Sequence, residues 1–447
     1  MSLGSPDYVP QPYLAYVDFF LAVNGGMVSL TSSNEGLPEK LLTFEHTVST
    51  DIAGTWKLEI FDPSWDNVLT QLTSRTSLGA YGEVQGDRSG PEVQFQYYYT
   101  GGPGQTWGKI SRTFTGIVEQ INPTFSPQGT TIEITGHGAD ALLNTGLYNK
   151  AYKAPDGQGM KIHELITHIL VTKHKWTPAL IIPTRDIIDA EHFKGTDPVR
   201  MVFHQNSMSD LDFIRRVLIP YAVSEDGQGD YVLIPRPDET GNPTFEFRPR
   251  HYDTSPAGRE FIYMWGDKNS EVISFSPSFA GAAWVNFVGG GEVDHLTFDP
   301  KTKQIRHNIK NQENTPDKKT EAPKTVQVTS TNPGTVNMKK DIAASPNAEI
   351  GDIKARAYWE HNWRTSANTA ELVIQGDPAV WPGQKIFVNL ILPGNRVERA
   401  SSGIWSIKQA VNSIKGGEWV TSLGLIRGCN DAETSPADAI GEQISTS

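Results

Sequence analysis

The stretch Thr115-Gly-Ile-Val-Glu-Gln-Ile121, followed by Gly129 and then by Thr130-Thr-Ile-Glu-Ile-Thr135, has an echo near the far end of the chain. There Ser402-Gly-Ile-Trp-Ser-Ile407 leads to Gly416 and on to Trp419 through Leu425, and Gly116 precedes Gly129 by the same spacing that separates Gly403 from Gly416. Each copy runs glycine, β-rich strand, glycine turn, β-rich strand, the pattern of a hairpin that closes a β-domain. Two such hairpins, far apart in sequence, predict two similar β-domains.

Around the first hairpin, residues 1–150 are rich in β-formers separated by Gly, Pro and Asn: Trp56-Lys-Leu-Glu-Ile-Phe61, Val93-Gln-Phe-Gln-Tyr-Tyr-Tyr99 and the run from Ile110 to Val118. The tyrosines at 97, 98 and 99 fall on both faces of their strand, which suits core on one side and a neighbouring domain or subunit on the other, or sheet core with a wet aromatic edge. Residues 151–260 change to a helical period. Ile162, Leu165, Ile166, Ile169 and Leu170 form one apolar stripe, and Leu211, Ile214, Val217 and Leu218 form another. The second helix opens at the capping run Ser207-Met-Ser-Asp210 and stops before Pro220, after which 231–234 and 244–248 read as paired strands.

Residues 261–429 return to β, with strands expected at 272–275, 284–288, 369–374, 385–392, 403–411 and 419–426, a turn at Gly289-Gly290-Gly291 and a helical pattern around 353–370. A polar segment at 299–349 interrupts this domain and is expected to be a flexible or extended insertion, since it lacks the apolar surface to offset its ordering entropy. The tail, 430–447, is expected to be mobile.

Composition narrows the function. The 447 residues are 37% hydrophobic and 20% charged, with 41 Gly, 29 Pro and one Cys. A net charge of -12 excludes nucleic-acid binding by bulk charge, and the lone Cys429 cannot form an internal disulfide. The apolar run Tyr13 to Val23 is short and carries Asp18, so it reads as a strand rather than a leader or membrane span.

Chemical motifs are sparse. His163-Glu164 and His168 resemble a zinc-protease helix, but histidines five apart point about 140° away from each other at 3.6 residues per turn. His174, His192 and His204 have no regular spacing. The carboxylate pairs Asp210/Asp212 and Glu133/Asp140 could serve a glycosidase, although a chain with 51 acidic residues produces such pairs by chance. The 11 Trp, 14 Tyr and 18 Phe could line a carbohydrate groove or a protein interface. No catalytic, cofactor or metal site is assigned. The alternatives to a structural protein are a cell-wall or polysaccharide hydrolase and a carbohydrate-binding module.

The run Ser209-Asp-Leu-Asp-Phe-Ile-Arg-Arg-Val217 resembles the Ser-Asp-Trp-Asp-Phe-Leu-Arg-Arg-Leu helix of the central baseplate hub proteins of contractile phage tails, with Leu211 in place of Trp. This family includes the late control protein D group and the hub part of VgrG spikes. Ile273-Ser-Phe-Ser-Pro-Ser278 with Val285 to Asp294 is similar to the opening of the family's second β-domain. Leu372-Val-Ile-Gln-Gly-Asp-Pro378 with Pro382-Gly383, then Gly403-Ile-Trp-Ser-Ile407 and Thr421 to Arg427, looks like its close. The resemblance covers about 200–428. The polar insertion is long for the family, and no β-helical spike repeat follows, which implies a spike on a separate chain.

The resemblance implies a mainly β protein with α+β: two tail-tube-like β-barrel domains flanking a smaller α+β module. It implies a homotrimeric adaptor between the six-fold tail tube and the three-fold central spike, in a virion baseplate assembled in the host cytoplasm. The implied partners are the tube or tube-initiator protein, the spike, the wedge proteins and the tape measure protein, with no cofactor, sequence-specific nucleic acid or membrane insertion. The residues it marks are architectural. Gly116 and Gly403 begin the matched strands and Gly129 and Gly416 close their turns; Asp210, Phe213 and Arg216 anchor the second helix; Gly376, Asp377, Pro378 and Gly383 set a turn in the second β-domain.

Overall fold

Along β4 (Thr55–Asp62) every second residue, Trp56, Leu58, Ile60 and Asp62, is buried, and the residues between them are more exposed. That alternation is what a pleated strand with one covered face requires. The computed structural model describes residues 14–23, 26–31, 41–50, 53–62, 92–102, 105–144, 146–187, 200–225, 231–250, 260–264, 271–279, 287–290, 294–299, 304–309, 326–329, 339–342, 368–394, 396–398 and 401–427. Its first part comprises β1 (Leu14–Val23), β2 (Gly26–Ser29), β3 (Leu41–Ser49), β4, β5 (Glu92–Gly102), β6 (Gln105–Ile110), β7 (Phe114–Ser126) and β8 (Gly129–Gly138). The middle holds β9 (Tyr148–Tyr152), β10 (Thr177–Ile181), β11 (Phe203–Met208), β12 (Tyr231–Pro237) and β13 (Pro243–Pro249). The last part opens with β14 (Glu260–Met264) and β15 (Val272–Phe279). It continues through β16 (Phe287–Gly290), β17 (Asp294–Asp299), β18 (Gln304–Ile309), β19 (Val326–Thr329) and β20 (Lys339–Ile342), and ends with β21 (Asn368–Gln375), β22 (Lys385–Leu392), β23 (Arg396–Val397), β24 (Gly403–Lys415) and β25 (Glu418–Arg427).

The first and last parts repeat one strand order. The first runs β3-β4-β8-β7-β5-β1 and the last runs β15-β21-β25-β24-β22-β14, so the equivalent strands also follow one another in the same chain order. The hairpins match residue for residue: β7 and β24 span equivalent positions, as do β8 and β25, and each hairpin slips register once, at Glu119 and at Lys408. The register also shifts at the equivalent place where β3 meets β4 and where β15 meets β21. Buried apolar positions repeat with the topology: Leu58 matches Leu372, Ile60 matches Ile374, Phe95 matches Val388, and Val118 matches Ile407. One pairing departs, since β1 lies antiparallel to β5 while β14 lies parallel to β22.

The repeated units share a sheet. β3 adds to the far half of β24, Ser49 opposite Gln409 through Thr43 opposite Lys415, which joins both units into one 15-stranded sheet over one hydrophobic core. No closed barrel occurs among the described residues. A second core belongs to the middle module, whose β10-β13-β12 sheet and β9-β11 pair pack on two short helices. The first helix, Ile162–Thr167, continues in wider π turns to Lys173; the second starts at Asp210 and runs in the same way to Leu218, then tightens over Ile219–Tyr221. Ser209 caps the second helix by accepting the Asp212 amide at 3.1 Å.

Within 299–349 the described residues are strands: β18 pairs with β17, and β19 and β20 flank β16. The remaining residues of that expected insertion lie outside the description, as do the tail 430–447 and Cys429. Gly289 and Gly290, read from sequence as a turn, instead end β16, paired with β19 and β20. The helical pattern expected around 353–370 lies outside the description up to residue 367. Its last three residues begin β21, where pairing with β25 and β15 imposes a period of two.

Trp419 ties the two units: its ring lies 5.0 Å from Tyr97 and 5.1 Å from Tyr99, its Nε1 donates to Asn412 at 3.1 Å, and its carbonyl accepts from Tyr99 at 3.3 Å. Replacing it by alanine is expected to cost about 3 to 5 kcal/mol, read as a lowered denaturation midpoint by circular dichroism.

Candidate functional site

The seam between β3 and β24 brings residues more than 350 positions apart into register. Phe44 faces Ile414 across it, and both are fully buried. Aromatic side chains continue the contact into the core: Phe44 lies 5.3 Å from Phe95, and Phe114 stacks on Trp381 at 5.8 Å. His46 sits among these rings, 4.5 Å from Phe114 and 5.0 Å from Phe95, and shares a hydrogen bond of 3.3 Å between Nδ1 and the Tyr97 hydroxyl. Burial lowers its pKa to about 3, so His46 is neutral at physiological pH.

The middle module docks on the same seam. Trp381 Nε1 donates to the Pro235 carbonyl at 3.2 Å, Arg248 donates to the Gly383 carbonyl at 3.0 Å, and Arg112 donates to the Pro237 carbonyl at 2.8 Å. A cavity of about 50 Å³ remains where the three parts meet, lined among others by His46, Asp140, Trp176, Arg236 and Trp381. Asp140 is buried there, and both its oxygens accept the Gly54 amide, at 3.1 and 3.0 Å. Burial raises its pKa against those hydrogen bonds.

The residues marked by sequence divide by location. Gly376, Asp377, Pro378 and Gly383 lie in the connection from β21 to β22. A side chain at Gly376 would run into the Trp419 indole, and Gly383 adopts φ +87°, where a side chain would run into Ile234. The Asp377 amide donates to Thr421 at 3.2 Å and its carboxylate accepts from Ala379 at 2.9 Å. Gly116 lies against Trp56, Gly129 follows the β7 turn, Gly403 opens β24, and Gly416 with Gly417 makes the next turn. Aligned on bulge and turn, Gly116 matches Trp405 and Gly129 matches Glu418, so the glycine echo runs two residues out of step with the structural repeat. A slip of two keeps every side chain on its face, which is why the echo still marks the right hairpins.

Asp210, Phe213 and Arg216 lie apart from this seam, in the middle module. Asp210 is fully buried and accepts from Lys173 at 2.5 Å, His174 at 2.6 Å and Gln205 at 3.0 Å. Burial alone would raise its pKa; these donors outweigh it and hold the carboxylate below its ordinary range. Phe213 stacks on Tyr152 at 5.5 Å, and Arg216 is exposed, pairing with Asp212 at 2.9 Å. The carboxylate pairs considered for catalysis are thus engaged separately, with Glu133 on Lys57 at 2.5 Å, on the other face of β8 from the core. His163 is held by Thr184, whose amide donates to its Nδ1 at 3.0 Å, and burial lowers its pKa.

Sequence reading missed the seam residues His46, Trp381 and Trp419 and the outer half of β7, where Phe125 is 60% exposed. The signal available for β7 was the alternation of Ile121 and Phe125 beyond Val118, broken by Pro123.

No family model and no curated protein matches the chain. Two solved structures share its fold. The 43 kDa tail protein of prophage MuSo2 from Shewanella oneidensis is 14% identical, with a TM-score of 0.54, the match covering 93% of this chain and 99% of that one. The tail protein from Neisseria meningitidis MC58 is 12% identical with the same TM-score and the same coverage. The chain therefore has the fold of these two tail proteins.

Two expectations follow. His46 takes up a proton far more readily when unfolded, near pH 6.5, than when folded, near 3. Its share of stability is complete above about pH 6.5 and is lost as pH falls below that, with a slope of up to about 1.4 kcal/mol per unit. Urea titrations should show His46→Leu with a flatter profile between pH 6.5 and 4. Asp210→Ala leaves Lys173 and His174 without their acceptor and should cost about 3 kcal/mol in the same titrations at pH 7.

Proposed function

We propose that the chain is the structural hub of a contractile phage tail baseplate, or of a related injection machine, and that it catalyses no reaction. Three copies form a ring that adapts a six-fold tail tube to a three-fold spike. The observation that carries this reading is the duplicated strand order: β3-β4-β8-β7-β5-β1 and β15-β21-β25-β24-β22-β14 give each chain two equivalent sheet units. Three chains then present six units about one axis, which matches six tube subunits below while retaining true three-fold symmetry above. The fold shared with two tail proteins supports a place in a virion tail, and the reading has that tail assembled in the host cytoplasm.

In this reading residues 1–150 and 261–429 are the two tube-like domains and 151–260 the module that braces them. Barrel closure is a property of the assembly, the sheet continuing from chain to chain. The tube or tube-initiator protein and the spike bind opposite ends of the ring, with wedge proteins outside and the tape measure protein within reach of the lumen. A chain of net charge -12 favours a lumen that does not retain DNA by counterion release.

Light scattering on the purified chain, alone and mixed with its tube and spike proteins, tests the reading. A mass of three chains is expected. A monomer that stays monomeric in every mixture contradicts it.

A further inference from the structure

The repeat leaves one interaction made once where its logic provides for two. Within the chain, β24 is paired in halves on one edge: β22 takes Gly403 to Ser406, and β3 takes Gln409 to Lys415. In the first unit β5 takes the equivalent Phe114 to Ile117 of β7, and among the described residues no strand takes the outer half, Glu119 to Ser126. The strand equivalent to β3 is β15. It pairs with β21 on one edge, and its other edge has no strand partner among the described residues.

We propose that these open edges bind each other between copies of the chain, β15 of one copy adding to the outer half of β7 of the next in the register by which β3 adds to β24. The inference rests on the hub reading only for the number of copies. The register is fixed by the repeat: Thr43 opposite Lys415 becomes Ser274 opposite Ser126, Phe44 opposite Ile414 becomes Phe275 opposite Phe125, and Glu45 opposite Ser413 becomes Ser276 opposite Thr124.

The side chains fit this occupant. In the internal seam the pair Phe44 and Ile414 is fully buried. Its equivalents are both aromatic. Phe275 already packs at the margin of the core, 6.0 Å from Trp405, while Phe125 is 60% exposed. A second copy docked in register buries Phe125 against Phe275, as the internal seam buries its counterpart.

The edges also carry a device against indiscriminate pairing. The Thr50 amide donates to the Lys408 carbonyl at 3.1 Å, so residues 46 and 412, four positions along on each strand, form a hydrogen-bonded pair, whereas 45 and 413 do not. The equivalents of His46 and Asn412 are Pro277 and Pro123, which have no N–H to donate. Each open edge is blocked at its centre, as solitary edge strands often are. Docking therefore relies on the flanking pairs and the aromatic contact, and the joint between copies is weaker and more reversible than the seam inside the chain. Because β15 and β7 are different surfaces, the contact is head-to-tail and propagates until the ring closes.

Residues 124 and 276 are both exposed, and as a non-hydrogen-bonded pair their Cα atoms would lie about 4.5 Å apart, within reach of a disulfide. The test uses full-length chains with Cys429→Ser, one preparation carrying Thr124→Cys and the other Ser276→Cys, oxidised alone and mixed, with and without the tube and spike proteins. A covalent dimer is expected only in the mixture, and the chain carrying both substitutions should give a ladder. Thr124→Cys with Ser278→Cys, out of register, should lose it. Phe125→Asp should abolish assembly while leaving the monomer's melting temperature unchanged. No mixed dimer under any condition, or an equal yield from Thr124→Cys alone, overturns the proposed joint. If a three-copy ring forms without the cross-link, the joint falls and the hub reading stands. If the cross-link forms in rings of another size, the hub reading falls and the joint stands.

Discussion

Antiparallel backbone pairing between β3 and β24 is the constraint on which the rest of the molecule depends. It joins the first β-unit to the last, with the whole middle module intervening in sequence, and so the chain must close a very long loop before the pairing can form. Burial on one side of the seam supplies what offsets that entropy: Phe44, Phe95, Tyr97, Phe114, Trp381 and Trp419 form a continuous aromatic layer drawn from both units. His46 sits inside this layer with the Tyr97 hydroxyl as partner, and its burial makes the seam sensitive to acid. The middle module then acts as a brace, its Arg248 and the carbonyls of Pro235 and Pro237 bonded to groups of both units.

The duplication gives the seam its meaning. Two units with one strand order, one bulge position and matching buried residues would by themselves be two domains side by side. Sharing a sheet ties them edge to edge through β3 and β24. The proposed ring draws on that joint, since flexible tethering would leave the placing of the two units unspecified.

Much of the β architecture is legible in the sequence because it is local. Alternation in Trp56 to Phe61 and in Thr130 to Thr135 reports strands directly, and the glycine echo reports both hairpins despite running two residues out of step. The second helix is legible for the same reason: Ser209 and the stripe from Leu211 to Leu218 are close in sequence. What stays hidden is long-range. Nothing in the spacing of Phe44 or Ile414 reveals that they face each other, and the partners of Asp210, Lys173 and His174, come from another helix. The equivalence of β1 with β14 is obscured by a change from antiparallel to parallel pairing, and that of β3 with β15 by the exchange of His46 for Pro277.

The central claim is that one chain carries two equivalent sheet units so that three chains make six. Electron-microscopic reconstruction of the assembled ring without imposed symmetry addresses it most directly. The account predicts exact three-fold symmetry with six sheet units of the same strand order around the axis, alternating between the first and last parts of each chain. Six identical chains, or a ring in which only one unit per chain faces the axis, would contradict it.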